Sequence, residues 1–305
     1  MHGIGIIGSG SVAQALGRAL HDRGAPVVAL AARDASRGGR AAAFVGAAVR
    51  HVEYSGIVGL ARLIVAVSDE AVTSVAEHLA AAGMHHGVVL HTCGVRGPEA
   101  LAPLRTAGAA CGVLHPLQTV PSPELGATRL LRITFGVGGD PAAVTWAEEI
   151  ADLLESRVLR VPADGFPAYH AAAALAGNAV AALVDSAVAL MERAGVDAGT
   201  ALEALAPLCR TSAENVVAVG PLAALTGPIA RGDVRSVREH VRALADAPPD
   251  VAELYAAVSR RLLDLAVRRG LEVSTARRIE QLVESARPGR DDPDARPRTR
   301  TLTNP

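Results

Sequence analysis

Over the first half of the chain, short aliphatic runs rich in valine and isoleucine alternate with longer alanine-rich stretches whose apolar positions recur at helical spacing. That alternation is the pattern of a parallel sheet with crossover helices. It predicts strands over residues 3–7, 27–31, 63–67, 88–91, 112–114 and 134–137, and helices over 12–23, 35–45, 70–82, 97–107 and 141–154. A last edge strand is expected at 157–161. After Pro162 the strand signals stop, and helical patterns run over 169–194, 198–219, 234–245 and 251–269. Gly195, Pro221, Gly227-Pro228 and Pro248-Pro249 punctuate these helices. The expected architecture is α/β: an N-terminal Rossmann doubly wound parallel sheet over 1–162, an all-helical domain for substrate binding or dimerisation over 163–286, and a disordered tail over 287–305.

A chain of 305 residues suits two domains, because single cores stop growing at about 250 residues. Half the residues are apolar but only 2% are aromatic, so alanine, valine and leucine must build the core. The formal net charge of −1 offers no general attraction for nucleic acid or anionic membranes. Cys93, Cys111 and Cys209 lack the spacing of a zinc site or a disulfide framework, so no metal is expected and a reducing cytoplasm is. Residues 171–190 are apolar but carry Asn178 and Asp185, which favours a buried helix over a membrane span. An alanine-rich helical domain of this size also offers a surface for a homodimer. All thirty basic residues are arginine. That excludes lysine chemistry, whether as general acid, Schiff base or phosphate anchor.

The first strand leads into Gly8-Ser9-Gly10-Ser11-Val12-Ala13, a G-x-G-x-x-A turn at the start of a helix. Gly8 permits the tight turn, Gly10 lets a pyrophosphate approach the backbone, and Ala13 allows close helix packing. The strand-turn-helix context makes this dinucleotide signature specific. At the tip of the second strand, Arg33 with Ser36 and Arg37 suits a 2′-phosphate and favours NADP, while Asp34 keeps NAD open if the strand runs one residue further. Val67, Ser68 and Asp69 end another strand on the same crevice. Asp69 would serve equally as a cap for the helix at Glu70.

These segments resemble a bacterial family that joins a Rossmann-like domain to a DUF2520 domain, distantly related to ketopantoate, pyrroline-5-carboxylate and β-hydroxyacid reductases. The resemblance spans about residues 3 to 270 and rests on the glycine turn together with His91-Thr92-Cys93-Gly94, His115-Pro116-Leu117-Gln118-Thr119, Tyr169-His170-Ala171-Ala172-Ala173 and the segment from Leu225 to Asp233. It implies a cytoplasmic NADPH-dependent reductase of a small carboxylate-bearing 2-oxo acid, with ketopantoate the favoured example. A cyclic imine reductase of the pyrroline-carboxylate type and a dinucleotide-binding sensor without activity are the alternatives. Cys93 stands where serine is usual, and a thiol is the poorer hydrogen-bond donor. Relatives with a KxxxN(xxxN) helix use lysine to protonate the substrate. The same register here places His170 at the lysine position and Asn178 at the last asparagine.

Hydride addition to C=O or C=N needs a proton donor about 3 Å from the receiving atom. His170 is the leading candidate, with Asn178 two helical turns on and roughly on the same face. A helix-packing histidine is the competing reading. His115, Gln118 and Thr119 cluster at one strand end and suit a substrate carboxylate or amide, unless they only satisfy their own loop. His91 ends a strand facing the crevice and could donate to nicotinamide or substrate. Thr226 and Arg231 lie in a Gly/Pro-containing segment where Arg231 could pair with a carboxylate, or Asp233 could simply cap a helix.

Overall fold

A computed structural model describes residues 3–285. The chain compacts as two units, 1–180 and 181–305. The expected disordered tail falls outside the described residues.

The first unit is built on eight strands: β1 (Ile4–Ile7), β2 (Val27–Ala31), β3 (Arg50–Val52), β4 (Arg62–Val65), β5 (Val88–His91), β6 (Ala110–Pro116), β7 (Thr134–Gly139) and β8 (Arg157–Arg160). They form one sheet in the order β3-β2-β1-β4-β5-β6-β7-β8. Every pair is parallel except β6 and β7. The helices of this unit are α1 (Ser11–Asp22), α2 (Ala35–Val45), α3 (Val72–Ala81), α4 (Ala102–Ala107), α5 (Pro123–Arg129), α6 (Pro141–Leu153) and α7 (Phe166–Ala176).

Alternation along the strands divides the apolar residues between two cores. Ile6, Leu30, Ile64, Leu90 and Leu114 pack against α1, α2 and α6 on one face of the sheet. Ile7, Ala31, Leu63, Val65 and Val89 pack against α3 and α4 on the other. Both faces are thus covered, as expected of a doubly wound sheet. Two elements of this unit, β3 and α5, were not anticipated. β3 is only three residues and carries polar Arg50 and His51, so it has no aliphatic run to announce it. α5 begins at Pro123 after the Ser122 cap, whose hydroxyl accepts from the Leu125 N–H, and packs on α1. With this short connection the chain returns from β6 into β7 antiparallel instead of crossing over. The helix expected over 70–82 starts with a 3-10 turn, Asp69–Ala71.

The single helix expected over 169–194 is two. α7 ends at Ala176 and α8 (Asn178–Arg193) starts after Gly177, which stays in the right-handed region with φ −113° and ψ −72°. α7 stays with the first unit because buried Phe166 packs on Val113 and Val161, with Tyr169 beside it.

In the second unit, α9 (Ala198–Ala224) contains a break at Gly220, next to the Pro221 that signalled an interruption. α10 (Gly227–Arg231), α11 (Val234–Leu244), α12 (Pro249–Arg268) and α13 (Val273–Ser285) follow. Ile229, Val237, Ala256, Leu263, Ile279 and Val283 make its core. α13 was overlooked although Ile279 and Val283 stand at the i, i+4 spacing of one helix face. The apolar segment expected to be buried is not buried within the chain. In the run 163–193, the 18-residue window of mean hydropathy 1.7 has none of its residues buried, and Leu175 is 74% exposed. By length and composition alone this run and the one over 198–231 could cross a membrane.

Candidate functional site

The turn after β1 has the geometry a pyrophosphate needs. Gly8 takes φ +126°, and a Cβ there would collide with the Ala66 carbonyl at the end of β4, so no side chain is admissible. Gly10, by contrast, is extended backbone with nothing within 4 Å of where a Cβ would project. It opens onto solvent at the N-cap of α1. That helix has no side-chain cap and no acid in its first turn. Its leading N–H groups, at the positive end of the helix dipole, therefore remain available to an anion. Gln14 Nε2 donates to the Ser9 carbonyl at 2.9 Å and braces the turn. Ala13 is fully buried under it.

This turn is one wall of a cleft of about 1100 Å³ lying wholly within the first unit. Ser9, Gly10, Ser11 and Val12 line it, as do Val67, Ser68 and Asp69 beyond β4. At the tip of β2 the strand ends at Ala31 as expected, and Arg33 and Arg37 line the cleft. The Asp34 carboxylate accepts the Arg37 N–H at 2.8 Å and caps α2, which holds its pKa below the usual value. Asp34 lines the cleft as well, and the cap engages its Oδ1. Two exposed arginines beside it suit a phosphate. Ser36 does not line the cleft, since its hydroxyl accepts from Arg40 Nη1 at 2.7 Å. These features fit a dinucleotide with a 2′-phosphate. Sequence reasoning missed Tyr54, with its neighbours Glu53 and Ser55, which line the cleft from the loop after β3. Because β3 itself was not seen, nothing marked the loop.

Thr92, Gly94, His115 and His170 close the other end of the cleft. His115 stands on β6 and His170 on α7, with ring centroids 5.8 Å apart in an edge-to-face arrangement. Gly94 lies between them: a Cβ there would come within 2.6 Å of both rings. Burial, and secondarily the neighbouring His170, push the His115 pKa down to about 4, against the opposing pull of Asp69. His115 is therefore neutral near pH 7. Its Nδ1 lies 2.8 Å from the Tyr169 hydroxyl, a partner 54 residues away that no local pattern revealed.

Several expected ligands have other employment. His91 is fully buried, with Nε2 2.9 Å from the Gly97 carbonyl and Nδ1 accepting the Cys93 N–H at 3.2 Å. Both ring nitrogens are committed to the loop after β5, and burial lowers the pKa, so His91 is a neutral staple and not a ligand. Cys93 is buried too, and its thiol, hydrogen-bonded to the Asp69 carboxylate, is pushed up to about 11 mainly by burial. It faces Asp69, not the open cleft. Asp69 lines the cleft inside a 3-10 turn, which removes its reading as a simple helix cap.

Gln118 Oε1 accepts from the Thr119 N–H at 2.9 Å, both residues are exposed, and neither lines the cleft. The loop satisfies itself. Asn178 is exposed at the start of α8, separated by Gly177 from the helix that carries His170, and does not line the cleft. Thr226 and Arg231 belong to the second unit. There Thr226 precedes α10, Arg231 is exposed, and Asp233 caps α11 by accepting from the Ser236 N–H at 3.0 Å. Among the described residues no group of three histidine, cysteine or acidic side chains is placed to hold a metal ion.

Residues 2–116 match the family model described as a Rossmann-like domain, and residues 133–262 match a domain of unknown function, DUF2520. No curated protein matches the chain. Among solved structures it is similar to a candidate NADP oxidoreductase from Bacteroides fragilis, at 23% identity over 86% of this chain and 98% of that one, with a TM-score of 0.69. A Thermotoga maritima protein follows at 22% identity, 87% and 99% coverage and a TM-score of 0.65. An imine reductase from Streptomyces aurantiacus is similar at 18% identity, 92% and 99% coverage and a TM-score of 0.61. At these identities the likeness is one of fold.

Proposed function

We propose, from the premise that this chain joins a Rossmann-like domain to a DUF2520 domain, that it is an NADPH-dependent reductase of a small carboxylate-bearing 2-oxo acid, with a ketopantoate-like compound favoured. The observation that carries the reading is a single cleft with an uncapped, glycine-lined helix N-terminus at one end and two histidines at the other. Gly8, Ser9, Gly10, Ser11 and Val12 would hold the pyrophosphate, and Arg33 and Arg37 the 2′-phosphate. NADPH bound there supplies hydride. The protein must then deliver a proton to the atom that becomes hydroxyl or amine, and His170 is positioned on the cleft to do so. His115, neutral and half-buried, binds the same atom or its neighbour.

One observation favours cyclic imine reduction as the second reading. The only arginines lining the cleft among the described residues are Arg33 and Arg37, at the ribose end, while Asp69 stands near the histidines. A carboxylate stabilises the iminium cation that imine reduction passes through and that ketone reduction lacks. Incubation of the pure protein with NADPH and a panel of 2-oxo acids and cyclic imines separates the readings. Turnover of oxo acids supports the first and turnover of imines the second. Tight NADPH binding with no turnover of either class rejects both and leaves a dinucleotide sensor.

A further inference from the structure

The phenol of Tyr169 has a single hydrogen-bond partner among the described residues. Its oxygen lies 2.8 Å from His115 Nδ1. Gly136 is the cross-strand partner of His115 in the antiparallel β6–β7 pair, so the histidine, the glycine and the phenol are brought together by sheet register. A Cβ at Gly136 would stand 2.5 Å from the Tyr169 oxygen. Only glycine leaves room for the phenol to reach across the strand to the imidazole.

Burial pushes the Tyr169 pKa up to about 12, so the phenol keeps its hydrogen near neutral pH. That hydrogen needs an acceptor. Among the described residues its one hydrogen-bond partner is His115 Nδ1. A neutral imidazole that accepts at Nδ1 carries its proton on Nε2, the nitrogen on the side of Gly94 and the cleft. The opposite arrangement, with Nδ1–H donating to the phenol, would leave the phenolic hydrogen without a partner among the described residues.

We propose that Tyr169 is a positioning residue that locks His115 as its Nε2–H tautomer, so that the cleft presents a fixed, uncharged hydrogen-bond donor to an acceptor atom of the substrate. This deepens the reductase reading and rests on it for the word substrate. The tautomer itself does not. With a neutral donor at His115 and a second imidazole 5.8 Å away, the two histidines have separate tasks: His115 orients and polarises, His170 transfers the proton.

The test is the two-bond proton–nitrogen correlation spectrum of the histidine rings in the full-length ¹⁵N-labelled protein, with His115 assigned by its loss in His115→Gln. The expected wild-type pattern is a protonated Nε2 and a bare Nδ1 for His115. Tyr169→Phe should convert this to a mixture of tautomers, and Gly136→Ala, which displaces the phenol, should do the same. A wild-type His115 protonated at Nδ1 overturns the proposal. So does an unchanged Nε2–H pattern in a folded Tyr169→Phe protein. None of these outcomes requires turnover, so a wrong substrate or a missing activity has no bearing on the tautomer. Where activity is found, Tyr169→Phe in a His115→Ala background should cost no more than about twofold beyond His115→Ala alone, since coupled residues are not additive.

Discussion

The two ends of the cleft are made from different materials. At the phosphate end the working parts are main chain: the φ of Gly8, the open face of Gly10 and the uncapped first turn of α1. At the histidine end they are side chains held by partners far along the chain, with Tyr169 reaching His115 across 54 residues and Gly94 spacing two imidazoles. A main-chain site is specified by where glycine stands, so a short motif is enough to reveal it. A side-chain site depends on which residues the fold brings together. Similar histidines therefore end in opposite roles, His91 at the end of β5 with both nitrogens consumed by its loop and His115 near the end of β6 with one nitrogen turned to the cleft.

The sharpest way to break this contrast is Gly10→Val. Because Gly10 is extended and no atom lies within 4 Å of its would-be Cβ, the variant should fold with unchanged melting temperature yet lose NADPH binding in calorimetry, as a branched side chain fills the pyrophosphate position. Undiminished affinity would remove the turn from the cofactor site. Next in size comes the comparison of His170→Ala with His91→Ala. A positioned acid contributes typically about 10² to 10⁴ in rate, so the first should lower kcat at least a hundredfold on this scale while sparing NADPH binding and stability. The second should cost about 1–3 kcal/mol for each backbone group it orphans, Gly97 O and Cys93 N, and show mainly as a lower melting temperature. Exchanged signatures would reverse the two roles.

The smallest expected effect is at the ribose. Arg33→Ala should weaken NADPH several-fold and leave NADH nearly untouched, because only the 2′-phosphate gains a charge-assisted hydrogen bond there. Equal losses for both cofactors would place the discrimination at Arg37 or in the loop of Tyr54.

Much of the doubly wound sheet was legible in the sequence, because apolar period and glycine placement are local properties. β2 and α2 begin and end at the expected residues, and the G-x-G-x-x-A turn sits between strand and helix as read. What failed to show was local structure without local signal. β3 is too short and polar to stand out, and the break at Gly177 hides in an unbroken alanine-rich run where one glycine is tolerated in many helices.

The sequence by itself determined the class of fold and the phosphate-binding turn, since both follow from hydrophobic period and from residues whose backbone freedom is intrinsic. It also excluded lysine chemistry outright. Only the tertiary structure decided which polar side chains are free to act. Gln118 and Thr119 bond each other, Ser36 is taken by Arg40, His91 is taken by its loop, and His115 is shaped by a tyrosine and a glycine that strand register delivers. The physical reason is that the chemistry of a polar group is set by its unsatisfied valences, and those are counted only after every neighbour has taken its share.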